Sequence, residues 1–125
     1  MTDINGNLLN VDVHAANIHD TVGGCDTFDN ALMRYPSLLG VCGDAGYRGT
    51  FKDHVESLGL TVDISERIKP QWEILPKRWR VERSLAWISN FRRLSKDYEI
   101  SVHSEECQVH IAFSAVLLNR LFPCV

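Results

Sequence analysis

Hydrophobic and polar positions alternate early in the chain. Leu9, Val11 and Val13 interleave with Asn10, Asp12 and His14, the period of a half-buried strand. Asn5-Gly6, just before them, is a hairpin-turn signal. A partner strand should precede that turn, and only Met1 to Ile4 stand there, too few for a normal strand. The expectation is a piece of a longer chain. Residues 15–24 read as a connector closing on Gly23-Gly24. Asp26 or Thr27 would cap a helix with Phe28, Ala31, Leu32 and Tyr35 on one face, stopped by Pro36. The apolar run from Leu38 to Cys42 predicts a strand buried on both faces, and Gly43 to Gly49 a glycine-rich turn. Thr50 with Asp53 resembles a capping box opening a helix through Phe51, Val55 and Leu58, which ends at Gly59. Leu60, Val62 and Ile64 predict a third strand, and Pro70 and Pro76 bracket a loop. From about Lys77 to Leu94 runs the longest helical pattern, with a broad apolar stripe through Val81, Leu85, Ile88 and Leu94. A last helix should open at Ser104 with Glu105 and Glu106 in its first turn. It is apolar nearly all round from Val109 to Phe122, so it should pack between other elements.

Strands alternating with helices predict one α/β domain over residues 1–125, with a mixed sheet and flanking helices. The 125 residues, 45% of them apolar, suffice for a core of ordinary size. No apolar run reaches the ~20 residues of a membrane helix, and no signal-peptide pattern opens the chain. The expected compartment is the cytoplasm. Cys25, Cys42, Cys107 and Cys124 are too scattered for a zinc site and read as free thiols.

Charge changes the picture by segment. The net charge of −3 argues against a nucleic-acid binder. Residues 1–64, however, carry −6, residues 65–98 carry +5, and residues 99–125 carry −2. Trp72, Trp79 and Trp87 all fall in the basic stretch. Basic residues interleaved with aromatics fit a phosphate-backbone contact, and equally a solvated helix face over core tryptophans.

Ligands in α/β sheets collect beyond the carboxyl ends of strands. Asp3 and Asp44 stand at such ends, and Glu82 lies early in the long basic helix. Three carboxylates brought together would repel one another, and a hard divalent cation relieves that. The same residues also fit plainer roles, as turn formers at Asp3 and Asp44 and a helix-face ion-pair partner at Glu82.

The order of motifs narrows the choice. Asp3-Ile4-Asn5-Gly6-Asn7-Leu8-Leu9 and His14-Ala15-Ala16-Asn17-Ile18-His19-Asp20 come first, followed by Gly43-Asp44-Ala45-Gly46-Tyr47-Arg48-Gly49. Arg78-Trp79-Arg80-Val81-Glu82-Arg83 and Asn90-Phe91-Arg92-Arg93-Leu94 complete the set. Together they strongly resemble the DDE transposases of bacterial insertion sequences, over nearly the whole chain. The resemblance implies a ribonuclease H-like fold with a truncated first strand and no N-terminal DNA-binding region. It implies metal-dependent DNA cleavage and strand transfer, with Asp3, Asp44 and Glu82 as catalytic residues holding two Mg²⁺ or Mn²⁺ ions. It further implies double-stranded DNA as partner, a homo-oligomer in the active complex, and association with the nucleoid when DNA-bound. Arg48, Lys77, Arg78, Arg83, Arg92, Arg93 and Lys96 are the expected DNA contacts. The family's basic signature is met approximately, since Arg78 stands four before Glu82 and Ser89 occupies the position seven after it. Arg93 lies on the same helix face, and Leu75 stands where relatives often carry tyrosine. Two other readings remain open here, an inactive truncated fragment that is a remnant or inhibitor of the full-length enzyme, and a nuclease that never joins strands.

Overall fold

The computed structural model describes residues 1–65, 76–96 and 98–123, with the side chains of 76–78 outside that description. The described elements run α1 (Asp20–Arg34), β1 (Gly40–Gly43), a 3₁₀ turn (Ala45–Tyr47), α2 (Thr50–Ser57), β2 (Thr61–Ile64), α3 (Pro76–Ser89), a second 3₁₀ turn (Arg92–Leu94) and α4 (Val102–Leu121). This is an α/β arrangement whose sheet, among the described residues, is two parallel strands with Val41 opposite Val62. A parallel pair needs a crossover, and α2 supplies it.

The core lies where α1 and α2 cover this sheet. Phe28, Phe51 and Val55 are buried there, and Leu32, Val41, Leu60 and Val62 pack around them. Phe28 meets Phe51 edge to face, with centroids 6.0 Å apart, a geometry favoured by the ring quadrupoles. Tyr47 sets its ring against Phe51 at 5.2 Å, so the loop after β1 is anchored to the core.

The front of the chain differs from the alternating pattern. Among the described residues one antiparallel bridge forms there, between Thr2 and Leu8. No strand is described over residues 9–13; the Leu9 and Asn10 N–H groups share the Met1 carbonyl, and Val13 N–H donates to a Glu106 carboxylate oxygen. The cap of α1 lies seven residues ahead of Asp26 and eight ahead of Thr27, the expected caps. His19 supplies the cap, its Nδ1 accepting from Thr21 N–H at 3.3 Å. The connector glycines therefore lie inside the helix, where neighbours crowd them. A Cβ at Gly23 would meet the His14 ring at 2.4 Å, and one at Gly24 would meet Tyr47 at 2.8 Å.

Further expectations are modified. Thr50 makes no capping bond, since Gly49 holds the cap position of α2 with φ 78°. β1 is not buried on both faces, for Cys42 is exposed and the preceding Leu39 is 83% exposed. The long helix stops at Ser89 and continues as a 3₁₀ turn. α4 begins at Val102, capped by Ser101, and buries only Val109, Ala112 and Phe113. It leaves Ile111, Leu118, Leu121 and Phe122 open instead of being enclosed. Pro70 and Trp72 lie outside the described residues. Among the described residues, no helix is long and apolar enough to cross a membrane.

Candidate functional site

The glycine turn that follows β1 aims Asp44 outward. Asp44 caps the 3₁₀ turn, its Oδ1 accepting from Gly46 N–H at 2.9 Å. That bond fixes the carboxylate's orientation. A cavity of about 490 Å³ opens beside it, and α3 reaches the same cavity through Val81, Glu82 and Leu85. Asp44 and Glu82, 38 residues apart in sequence, therefore line one space. Asp12, Asp20 and Asp63 line it too, with His14 nearby and Val11, Phe28 and Val41 forming its apolar wall. Asp12 is held by the side-chain amides of Asn10 at 2.6 Å and Asn30 at 3.3 Å. Tyr47 also lines the cavity, and burial first, then the charges of Asp20 and Asp44, push its phenol above the usual range.

Asp3 lies elsewhere. It sits in the Asn5-Gly6 turn and does not line this cavity. Its Oδ1 accepts from Asn5 N–H and Asn7 N–H, both at 2.8 Å, and its Oδ2 from the Asn7 side-chain amide at 2.9 Å. Burial alone would raise its pKa, but those hydrogen bonds, the Asn7 side chain foremost, outweigh it and hold the carboxyl below its usual value. Asp44 and Glu82 thus line one cavity, while Asp3 belongs to the turn.

α3 and α4 clamp that turn from outside. Arg83 Nη2 donates to the Asn5 carbonyl at 2.8 Å and Ser84 Oγ to the Gly6 carbonyl at 3.0 Å. Arg120 Nη1 donates to Asn7 Oδ1 at 2.7 Å. The Arg83 guanidinium lies between the rings of Trp79 (4.6 Å) and Trp87 (4.9 Å), a cation–π sandwich. Arg120 stacks on Trp87 as well. These tryptophans are therefore arginine platforms, and Trp79 remains 47% exposed. The i, i+4, i+8 spacing of Trp79, Arg83 and Trp87 was the sequence signal for this stack.

The remaining cations fall into groups. Arg48, Arg92 and Lys96 are exposed. Arg93 is tied to Glu99 Oε1 through Nε at 2.9 Å and Nη2 at 2.7 Å. The Ser104 hydroxyl and Arg93 together hold Glu99 below the usual carboxylate range. The side chains of Lys77 and Arg78 lie outside the described residues.

For a divalent metal, the donor chemistry is suitable, since the cavity's carboxylates offer hard oxygen ligands. Among the described residues no three acidic, histidine or cysteine side chains converge as a closed metal cage would. Magnesium does not require such a cage, because it keeps several waters and takes one or two carboxylates plus substrate phosphates. Asp44 and Glu82 are two of the carboxylates in the cavity lining.

Comparison with known proteins adds one positive finding. The family model described as "Transposase DDE domain" matches residues 1–118. No curated protein and no solved structure matches the chain.

Proposed function

The chain belongs to the transposase DDE domain family, and from that premise we propose that it carries the catalytic core of an insertion-sequence transposase, cutting DNA at element ends and joining the freed 3′-hydroxyl to target DNA. The observation that supports this most is the shared cavity of Asp44 and Glu82, two carboxylates from distant parts of the sequence. Asp44 and Glu82 would hold Mg²⁺ or Mn²⁺, with two ions as the proposed complement. Such ions activate a water or 3′-hydroxyl and stabilise the leaving oxygen of a phosphodiester. The chain's own contribution is placement. The Gly46 amide sets the angle of Asp44, and Arg83 and Ser84, the two residues after Glu82, fix α3 against the Asn5-Gly6 turn. Arg48, Arg92 and Lys96, with Lys77 and Arg78, would neutralise backbone phosphates. Asp3 would enter as the third ligand only by moving towards the cavity, which it does not line, from a turn where its carboxylate accepts three hydrogen bonds.

The engagement of Asp3 favours a second reading, that this chain is an inactive fragment able to pair with or inhibit a full-length enzyme. One assay separates the two. The chain is incubated with Mg²⁺ or Mn²⁺ and a DNA end bearing a pre-cut 3′-hydroxyl, together with target duplex. Joined product that falls by about 10²-fold or more in Asp44→Ala and Glu82→Gln supports the core. That is the loss expected even from a misplacement of about 1 Å. No joining and no hydrolysis supports the fragment, and hydrolysis without joining supports a nuclease.

A further inference from the structure

α4 carries His103 and Cys107 one turn apart, both exposed. His103 Nε2 stands 3.9 Å from Cys107 Sγ. Zinc bonds a thiolate sulfur at about 2.3 Å and an imidazole nitrogen at about 2.0–2.1 Å, so two such ligands on a tetrahedral ion stand about 3.6 Å apart. The pair is within about 0.3 Å of that separation. The other ring nitrogen, His103 Nδ1, faces Glu106 Oε2 at 3.9 Å. Glu106 is itself fixed, its Oε1 accepting from Val13 N–H at 2.8 Å. A carboxylate behind the ring is the usual support of a metal-binding histidine. One chain nevertheless supplies half a site. A structural zinc takes four ligands, two cysteines with two histidines being one standard set, and among the described residues no three suitable side chains converge in one chain. The same helix face shows where the other half comes from. Cys107, Ile111, Ser114, Leu118 and Leu121 recur at intervals of four, three, four and three, the spacing of a coiled-coil seam. The seam points away from Val109, Ala112 and Phe113, the residues α4 buries in the fold. Its Ile111, Leu118 and Leu121 are 62%, 57% and 70% exposed. In a parallel, in-register pair each seam residue meets its own copy, so a two-fold axis along the seam brings two Cys107 and two His103 side chains together. Two heptads are too few to hold such a pair by themselves, which makes the association conditional on the ion.

We infer that two copies of this chain share one soft, tetrahedral divalent cation of the zinc class, held by His103 and Cys107 of each, with their α4 seams side by side. Each thiol releases its proton to solvent as its sulfur binds the ion. His103 and Cys107 lie outside the cavity lined by Asp44 and Glu82, and the inference stands apart from the transposase reading.

The test titrates the full chain, kept reduced by a phosphine, with Zn²⁺ in sedimentation velocity and with Co²⁺ in absorption. The monomer should become a dimer at one cation per two chains. Cobalt should show the intense visible bands of a tetrahedral ion and thiolate-to-metal charge transfer in the near ultraviolet. Cys107→Ser and His103→Gln, both at exposed positions, should each abolish the two responses with circular dichroism unchanged. Glu106→Gln, which keeps an acceptor for Val13 N–H, should weaken zinc binding by about 10–100-fold. Leu118→Lys, in the seam, should lose the dimer. His110→Ala should bind normally, since His110 lines a separate cleft with Asn10 and Arg34. Asp44→Ala should also bind normally, so this result and the metal reading of the cavity fail or stand separately. No zinc binding, one cation per chain without dimerisation, a dimer indifferent to zinc, or a response that survives Cys107→Ser or is lost in His110→Ala would overturn the inference.

Discussion

Replacing Gly6 by alanine probes the joint between the front turn and the long basic helix. Gly6 is buried with φ 82°, a left-handed conformation that costs an alanine roughly 1–2 kcal/mol. Its new Cβ would lie 2.8 Å from Ser84 Oγ, 3.2 Å from Arg83 Nη2 and 3.3 Å from the Trp87 ring. Ser84 cannot yield freely, because the same oxygen bonds the Gly6 carbonyl. Losing that bond costs about 1 kcal/mol, and overpacking adds about 1–3. Gly6→Ala should therefore destabilise by about 3–6 kcal/mol. Gly59 gives the control, with φ 75° at the end of α2, where Leu60 N–H bonds back to the Val55 carbonyl, and nothing within 4 Å of a built Cβ. Gly59→Ala should lose only the backbone share, roughly 1–2 kcal/mol. Urea unfolding followed by tryptophan fluorescence measures both. Equal losses in the two variants would refute the docking of the turn against Arg83, Ser84 and Trp87.

Val55, fully buried between α2 and the sheet, should lose about 2–3 kcal/mol as Val55→Ala in the same unfolding assay; a loss under about 1 would place the core elsewhere. Asp3→Ala should destabilise by about 1–3 kcal/mol at neutral pH through its lost hydrogen bonds. The folded Asp3 pKa lies below the usual 3.8, so its stabilisation is present above that value and fades as pH falls through the folded pKa. The gap between wild type and Asp3→Ala should therefore close in acid, and a gap independent of pH down to about 2 would contradict the assignment. Arg48→Ala and Lys96→Ala should each weaken duplex DNA binding and lower the salt slope by about 1. Arg93→Ala should do less, because Glu99 already holds that guanidinium; an Arg93 effect as large as that of Arg48 would show that the pair opens on DNA.

Much of this was readable from local chemistry. Leu60, Val62 and Ile64 alternate, and β2 forms there; Phe51 and Val55 share a helix face, and both are buried. Asp44 and Glu82 line one cavity, and grouping them as a site was an expectation from motif order, since their spacing of 38 residues says nothing by itself. Errors arose where tertiary contacts override local signals. Gly23-Gly24 look like a break, yet they lie in α1 because His14 and Tyr47 need the space a side chain would fill. Leu9, Val11 and Val13 look like a strand, yet Leu9 N–H goes to the Met1 carbonyl and Val13 N–H to a Glu106 carboxylate oxygen, and no strand is described there. The turn bonds of Asp3 and the stack of Arg83 between Trp79 and Trp87 are tertiary contacts of the same kind, made beside the metal and DNA roles proposed for these residues.

The pairing of Asp44 and Glu82 around a shared cation is tested most directly by Mn²⁺ titration read by electron paramagnetic resonance, on the wild-type chain, Asp44→Ala and Glu82→Gln. The account predicts saturable Mn²⁺ binding in the wild type and its loss in either variant, with the fold retained by circular dichroism. Binding that survives both substitutions, or none in the wild type even with duplex DNA present, would contradict it.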